Sequence, residues 1–66
     1  MQIRLNGETH DCPDGMTLAA LLASLALTGK RIAVELNGEI APRSRHAGIV
    51  LAPDDRVEVV HAIGGG

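Results

Sequence analysis

Thr17-Leu18-Ala19-Ala20-Leu21-Leu22-Ala23-Ser24-Leu25 is the stretch whose reading decides the fold. Leu18, Leu21, Leu22 and Leu25 recur at i, i+3, i+4 and i+7, which lays them along one face of an α-helix. The Thr17 hydroxyl is placed to take a free N–H of the first turn, and Ala19, Ala20 and Ala23 fill the remaining positions with the strongest helix former. Gly29 is expected at the left-handed position that ends the helix, with Lys30 and Arg31 near its negative dipole end. A leucine face of this kind needs an apolar partner, and the flanking segments supply one.

On both sides of the helix the hydrophobic period changes to two, the mark of half-buried strands. Met1, Ile3 and Leu5 alternate with Gln2 and Arg4, and Asn6-Gly7 supplies the positive-φ pair of a tight hairpin turn. Glu8 to Cys12 then returns antiparallel until Pro13-Asp14-Gly15 stops it. After the helix, Ile32, Val34 and Leu36 alternate with Ala33 and Glu35, and Asn37-Gly38 repeats the hairpin signal before Glu39-Ile40. The pattern lapses from Pro42 to Gly48, where Arg43, Arg45 and His46 make a short basic loop with room for a turn of 3₁₀ helix. Val50 and Leu51 are expected to return to the core, and Pro53-Asp54-Asp55 turns the chain once more. Val57 and Val59 alternate with Arg56 and Glu58 in a last strand that is expected to run through His61 and Ile63. The order ββαββ predicts a two-layer α+β domain, a mixed sheet of four to five strands with one helix packed across one face. In that arrangement the first and last strands can lie side by side, parallel, at the sheet centre.

Sixty-six residues allow one domain with a single modest core. No Phe, Tyr or Trp is present, so aliphatic side chains build it alone. A formal charge of −2 argues against a nucleic-acid binder, and the missing aromatics remove the stacking platforms that single strands need. No apolar run approaches the ~20 residues of a membrane span, and Met1 leads directly into a strand pattern without a leader-like segment. One cysteine, Cys12, allows no internal disulfide, which together with these features suggests a cytoplasmic protein.

Little in the sequence offers chemistry from side chains. His10, His46 and His61 are far apart and are expected at the surface or at sheet edges, and a single cysteine completes no zinc-ligand spacing. Asp54-Asp55 after proline reads as a turn. Cys12 reads as a buried thiol at a strand end. Neither Ser24 nor Ser44 lies in a nucleophile motif, and no phosphate-binding loop is present. What stands out is the end of the chain. Gly64-Gly65-Gly66 follows the apolar last strand, and three glycines can reach roughly 10 Å when extended with no side chain to block a narrow channel. The domain is thus placed at residues 1–63, with 64–66 as a flexible glycine tail.

The whole chain resembles a ubiquitin-like β-grasp protein and, more narrowly, the ThiS family of thiamine-biosynthesis sulfur carriers. Met1-Gln2-Ile3 followed by Asn6-Gly7 carries the resemblance, as do Thr17 with its leucine helix, the hairpin Val34-Glu35-Leu36-Asn37-Gly38-Glu39, Pro42-Arg43 and the terminal glycines. Pro53-Asp54-Asp55 departs from it, standing where many relatives have Asp-Gly-Asp. The resemblance implies a protein cosubstrate rather than an enzyme, with no cofactor or metal of its own. An E1-like, ThiF-like adenylyltransferase would activate the carboxylate of Gly66, with Gly64 and Gly65 threading into the partner. A cysteine desulfurase would be the sulfur source, and a ThiG-like thiazole synthase would consume the resulting thiocarboxylate. A carrier for molybdopterin or cysteine synthesis, or a β-grasp interaction module whose glycines are incidental, are the alternatives.

The glycine tail generates a prediction from sequence. Amide order parameters at Gly65 and Gly66 in the isolated protein are expected below about 0.6, with Val57 and Val59 near 0.85. Rigid values at both glycines would contradict a free arm.

Overall fold

Two hairpins flank one helix in the computed structural model, which describes residues 1–61. The elements are β1 (Gln2–Leu5), β2 (Glu8–Asp11), α1 (Leu18–Ser24), β3 (Ile32–Leu36), β4 (Glu39–Ile40), a 3₁₀ segment (Arg43–Gly48) and β5 (Arg56–His61). They form one mixed sheet of five strands in the order β2-β1-β5-β3-β4. β1 runs antiparallel to β2 and parallel to β5, and β3 runs antiparallel to both β5 and β4. The last strand is therefore central and parallel to the first, as the order of elements suggested. Both hairpins turn on Asn-Gly pairs at positive φ, Asn6 at 50° with Gly7 at 83° and Asn37 at 52° with Gly38 at 86°.

The leucine face meets the sheet as its spacing requires. Leu18, Leu21 and Leu22 are buried together with Ile3, Val34 and Val57 from the three central strands. Cys12, Ala41 and Leu51 complete the buried cluster, and Leu25, Leu27, Ile32 and Val59 pack at its margin. Thr17 caps the helix as expected, its Oγ1 accepting from Ala20 N at 3.1 Å. Leu18 N donates to Ile49 O at 2.9 Å and Leu51 N to Met16 O at 2.8 Å, so the segment after the 3₁₀ turn satisfies the start of the helix.

Three expectations need correction. The helix ends before Gly29: Leu25 is its C-cap and Ala26, at φ 59°, takes the left-handed position. Ala26 N donates to Ala23 O at 3.0 Å and Leu27 N to Leu22 O at 2.9 Å, the paired bonds of a Schellman motif. Leu22 and Leu27 line one groove, the apolar pairing that accompanies such an ending. Packing of Leu27 thus overrides the preference for glycine. Gly29, at φ 80°, serves a later tight turn in which Lys30 N donates to Leu27 O at 3.1 Å, so Lys30 and Arg31 do not lie at the helix end.

The second correction is His46, which is buried at 8% exposure instead of sitting at the surface. The 3₁₀ segment turns its ring inward, where Nε2 lies 2.8 Å from Ala41 O. The third is Val50, which stays 62% exposed while Leu51 is buried. These two residues belong to a short extended piece, bridged at Thr17–Val50, in which neighbours must face opposite sides. The expected continuation of the last strand to Ile63, the domain boundary at residue 63 and the tail 64–66 lie outside the described residues.

Two stability measurements check this packing. Leu21→Ala removes a fully buried side chain and is expected to cost about 2–5 kcal/mol; an unchanged denaturant midpoint would mean that the leucine face is not core. Ala26→Gly is expected to stabilise the protein by about 0.5–1 kcal/mol and so raise the midpoint, because glycine relieves the left-handed Cβ clash at some entropic cost. A lower midpoint would contradict the Schellman ending.

Candidate functional site

The residues expected to carry function, Gly64, Gly65 and Gly66, lie outside the described residues, so the site is approached through the strand that leads to them. β5 is held from both sides along its first half. On the β1 side, Arg4 N donates to Asp55 O at 2.8 Å and Asn6 N to Val57 O at 2.9 Å. Asn6 Oδ1 then accepts from Val59 N at 2.8 Å, linking positions 53 residues apart. On the β3 side, Asn37 N donates to Arg56 O at 2.8 Å, and Arg56 N donates back to Asn37 Oδ1 at 2.9 Å. Asn37 Nδ2 reaches Asp55 Oδ1 at 3.1 Å, while Asp55 Oδ2 accepts from Ala52 N at 2.8 Å.

Each turn asparagine therefore has two tasks. Its backbone adopts the positive φ of the turn, and its side chain supplies a hydrogen bond to β5 where no strand neighbour provides one. The sequence reading found only the first task. A signal for the second was present: asparagine opens both turns, whereas aspartate would lack the donor that Asn37 uses on Asp55. Asp54-Asp55 does form a turn, with Asp54 at φ 68°, as expected.

The outer face of the sheet is mixed in character. Glu58 lies opposite Glu35 and Val60 opposite Ala33, while Ile40 pairs with Glu35 from the edge. Val60 and Ile40 are 57% and 66% exposed. Beside the helix runs a groove of about 300 Å³, lined in part by Leu22, Leu27, Lys30, Ile32, Arg43 and His46. Arg43 closes part of it by donating from Nη2 to Lys30 O at 2.8 Å.

The other candidates are not gathered into a site. Cys12 is buried at the end of β2, as expected. The Ser24 hydroxyl donates to Leu21 O at 2.7 Å, a helix back-bond with no base beside it. His10 and His61 lie on different strands, β2 and β5, and His61 is exposed. Among the described residues no group of three or more His, Cys, Asp or Glu could hold a metal ion, and no helix is long and apolar enough to cross a membrane. What the arrangement offers is a central strand, hydrogen-bonded on both edges along its first half, that precedes the C-terminal glycines in the sequence.

Known proteins resemble this chain in sequence and in fold. A sulfur carrier protein ThiS from Bacillus subtilis is 42% identical over 65 residues, covering 97% of this chain and 98% of its own. A thiazole synthase from Magnetococcus marinus is 46% identical over 66 residues, all of this chain but 20% of that protein, so the chain spans about a fifth of its length. The crystal structure of a thiamine biosynthesis protein (ThiS) from Geobacter metallireducens superimposes with a TM-score of 0.87 at 28% identity, covering both chains completely. Its fold is therefore the β-grasp, with the mixed sheet and single crossing helix described above. The ThiS family model matches residues 3–66, reaching from the first strand to the final glycine, and the chain belongs to the ThiS family.

Proposed function

We propose that this protein is a sulfur carrier of thiamine biosynthesis whose reacting group is the terminal carboxylate of Gly66. The observation that carries this reading is the central position of β5, buried at Val57, hydrogen-bonded along both edges of its first half and separated from the glycines in sequence by two residues. A central strand fixes the base of the arm, while Gly64, Gly65 and Gly66 leave its tip narrow enough to enter an enzyme. Gly66 lies five positions beyond His61, a reach of up to about 17 Å when extended.

The chemistry follows from the carboxylate. An α-carboxyl is an anion near neutrality and a poor electrophile. Attack of its oxygen on the α-phosphorus of ATP forms an acyl adenylate and releases pyrophosphate. A persulfide sulfur then attacks the acyl carbon and expels AMP. Reduction of the acyl disulfide by a thiol leaves the thiocarboxylate, whose soft, ionised sulfur is ready to be donated. The chain contributes no acid or base to these steps and is a cosubstrate. The partners are a ThiF-like adenylyltransferase, a cysteine desulfurase as sulfur source and a thiazole synthase as acceptor. The likeness of the chain to a fifth of the Magnetococcus marinus thiazole synthase supports the last of these. Folding and reaction both take place in the cytoplasm in this reading.

Position is expected to matter as much as chemistry. Deleting Gly66 leaves a glycine carboxylate but draws it back by roughly 3.3–3.6 Å, and a misplacement of even 1 Å at a reacting centre can cost about 100-fold. The deletion variant is expected to bind the adenylating enzyme nearly normally and to support ATP–pyrophosphate exchange at least about 100-fold more slowly. A peptide fused after Gly66 converts the carboxylate to an amide and is expected to abolish exchange while leaving the denaturant midpoint unchanged. Exchange at the wild-type rate by the fused protein, with its extension intact, would overturn the proposal.

A further inference from the structure

The two edges of β5 are not equally occupied. Odd-numbered residues from 55 to 61 turn their backbone N–H and C=O toward the β1 side, and even-numbered ones toward β3, as strand alternation requires. The bonds from Asn6 N to Val57 O and from Asn37 N to Arg56 O follow this rule. On the β3 side, pairing continues from Leu36–Val57 to Ile32–His61. On the β1 side it stops early, with Arg4–Arg56 and Leu5–Val57, because the chain turns away at Asn6-Gly7. Asn6 Oδ1 extends the occupied edge to Val59 N at 2.8 Å, and among the described residues the hydrogen bonds on that side go no further. Val59 C=O and the N–H and C=O of His61 face the space that a longer β1 would fill.

We propose that this short edge, at Val59–His61, receives an extended strand of the adenylating enzyme, which joins the sheet in line with β1. The inference rests on the carrier reading above and adds how the arm is gripped. Three main-chain groups in a row along one strand edge are complementary to another extended backbone, the contact that strand addition uses. Exposed edges are commonly blunted by lysine or proline, yet Val60 and His61 stand here, both exposed. In sequence the edge is separated from the first glycine by two residues. A glycine arm has no side chains to recognise, so pairing along its base is the directional contact available besides the carboxylate. A strand laid at residues 59–61 would hold the arm's first residues straight and aim the remainder.

Amide hydrogen exchange on the unmodified chain tests the proposal. In the free protein the Val60 amide, on the β3 side opposite Ala33, is expected to be protected, while the His61 amide exchanges near the rate of an open chain. Adding the adenylating enzyme with ATP is expected to slow exchange at His61 at least about tenfold. A variant pair gives a second reading. His61→Pro deletes only the outward N–H, since Ile32–His61 is a pair without mutual backbone hydrogen bonds. It is expected to lower ATP–pyrophosphate exchange about tenfold, with His61→Ala near wild type. Two results would overturn the edge: a His61 amide left unprotected in a complex that adenylates the wild-type chain, or a folded His61→Pro protein as active as His61→Ala. Either would leave the carrier reading standing, because wild-type adenylation is read in the same experiment. Protection that rises with carrier concentration and without enzyme would assign the edge to a second copy and also overturn the proposal.

Discussion

Val57 is fully buried where the first and last strands meet. It pairs with Leu5 in parallel on one side and with Leu36 antiparallel on the other. A parallel pair cannot be joined by a tight turn and needs a long crossover; here the crossover is nearly the whole chain between Leu5 and Arg56. The helix lies in that crossover, and its leucines cover the face on which Val57 sits. The position of the last strand thus depends on every element before it. The strand itself is fixed on both sides, by β1 along its first half and by β3 along its length.

Most of this architecture was legible because local signals agreed with one another. The alternation of Ile32, Val34 and Leu36, the spacing of Leu18, Leu21 and Leu22, and the two Asn-Gly turns each stated a period or a turn type that packing had no reason to override. The failures lie where packing did override it. Ala26 accepts a left-handed backbone that glycine would take more readily, because Leu27 gains a half-buried position against the core, beside the same groove as Leu22. His46 turns inward because the 3₁₀ segment brings its ring to the Ala41 carbonyl, a geometry that no hydrophobic period announces. Val50 and Leu51 were read as a buried pair, although adjacent residues of an extended segment cannot both face one core. The side-chain tasks of Asn6 and Asn37 were hidden for a different reason: they depend on which strand lies beside each turn, and that is a matter of topology. The glycines behaved in the opposite way, since their functional reading came from sequence and family likeness while their geometry lies outside the described residues.

In the carrier reading proposed above, the energetics suit a protein that visits several enzymes. Ordering three residues costs about 3–6 kcal/mol of backbone entropy, and glycine has more freedom to lose than other residues. Contacts with the folded body must offset that cost before the carboxylate reaches an active site. The outer sheet face offers exposed Val60 and Ile40 beside Glu35 and Glu58, apolar and charged groups together. Docking through such a surface, with part of the gain spent on ordering the arm, favours complexes that form and separate readily.

The central claim is that the end of this chain acquires sulfur. Intact-mass measurement after incubation with a ThiF-like adenylyltransferase, ATP and a cysteine-desulfurase persulfide, with a thiol reductant present, tests it most directly. The account requires a mass gain equal to the exchange of one oxygen for one sulfur, confined by fragmentation to Gly66 and dependent on ATP. An unchanged mass with an enzyme that converts another ThiS-family protein in parallel, or sulfur found on Cys12 instead of Gly66, would contradict it.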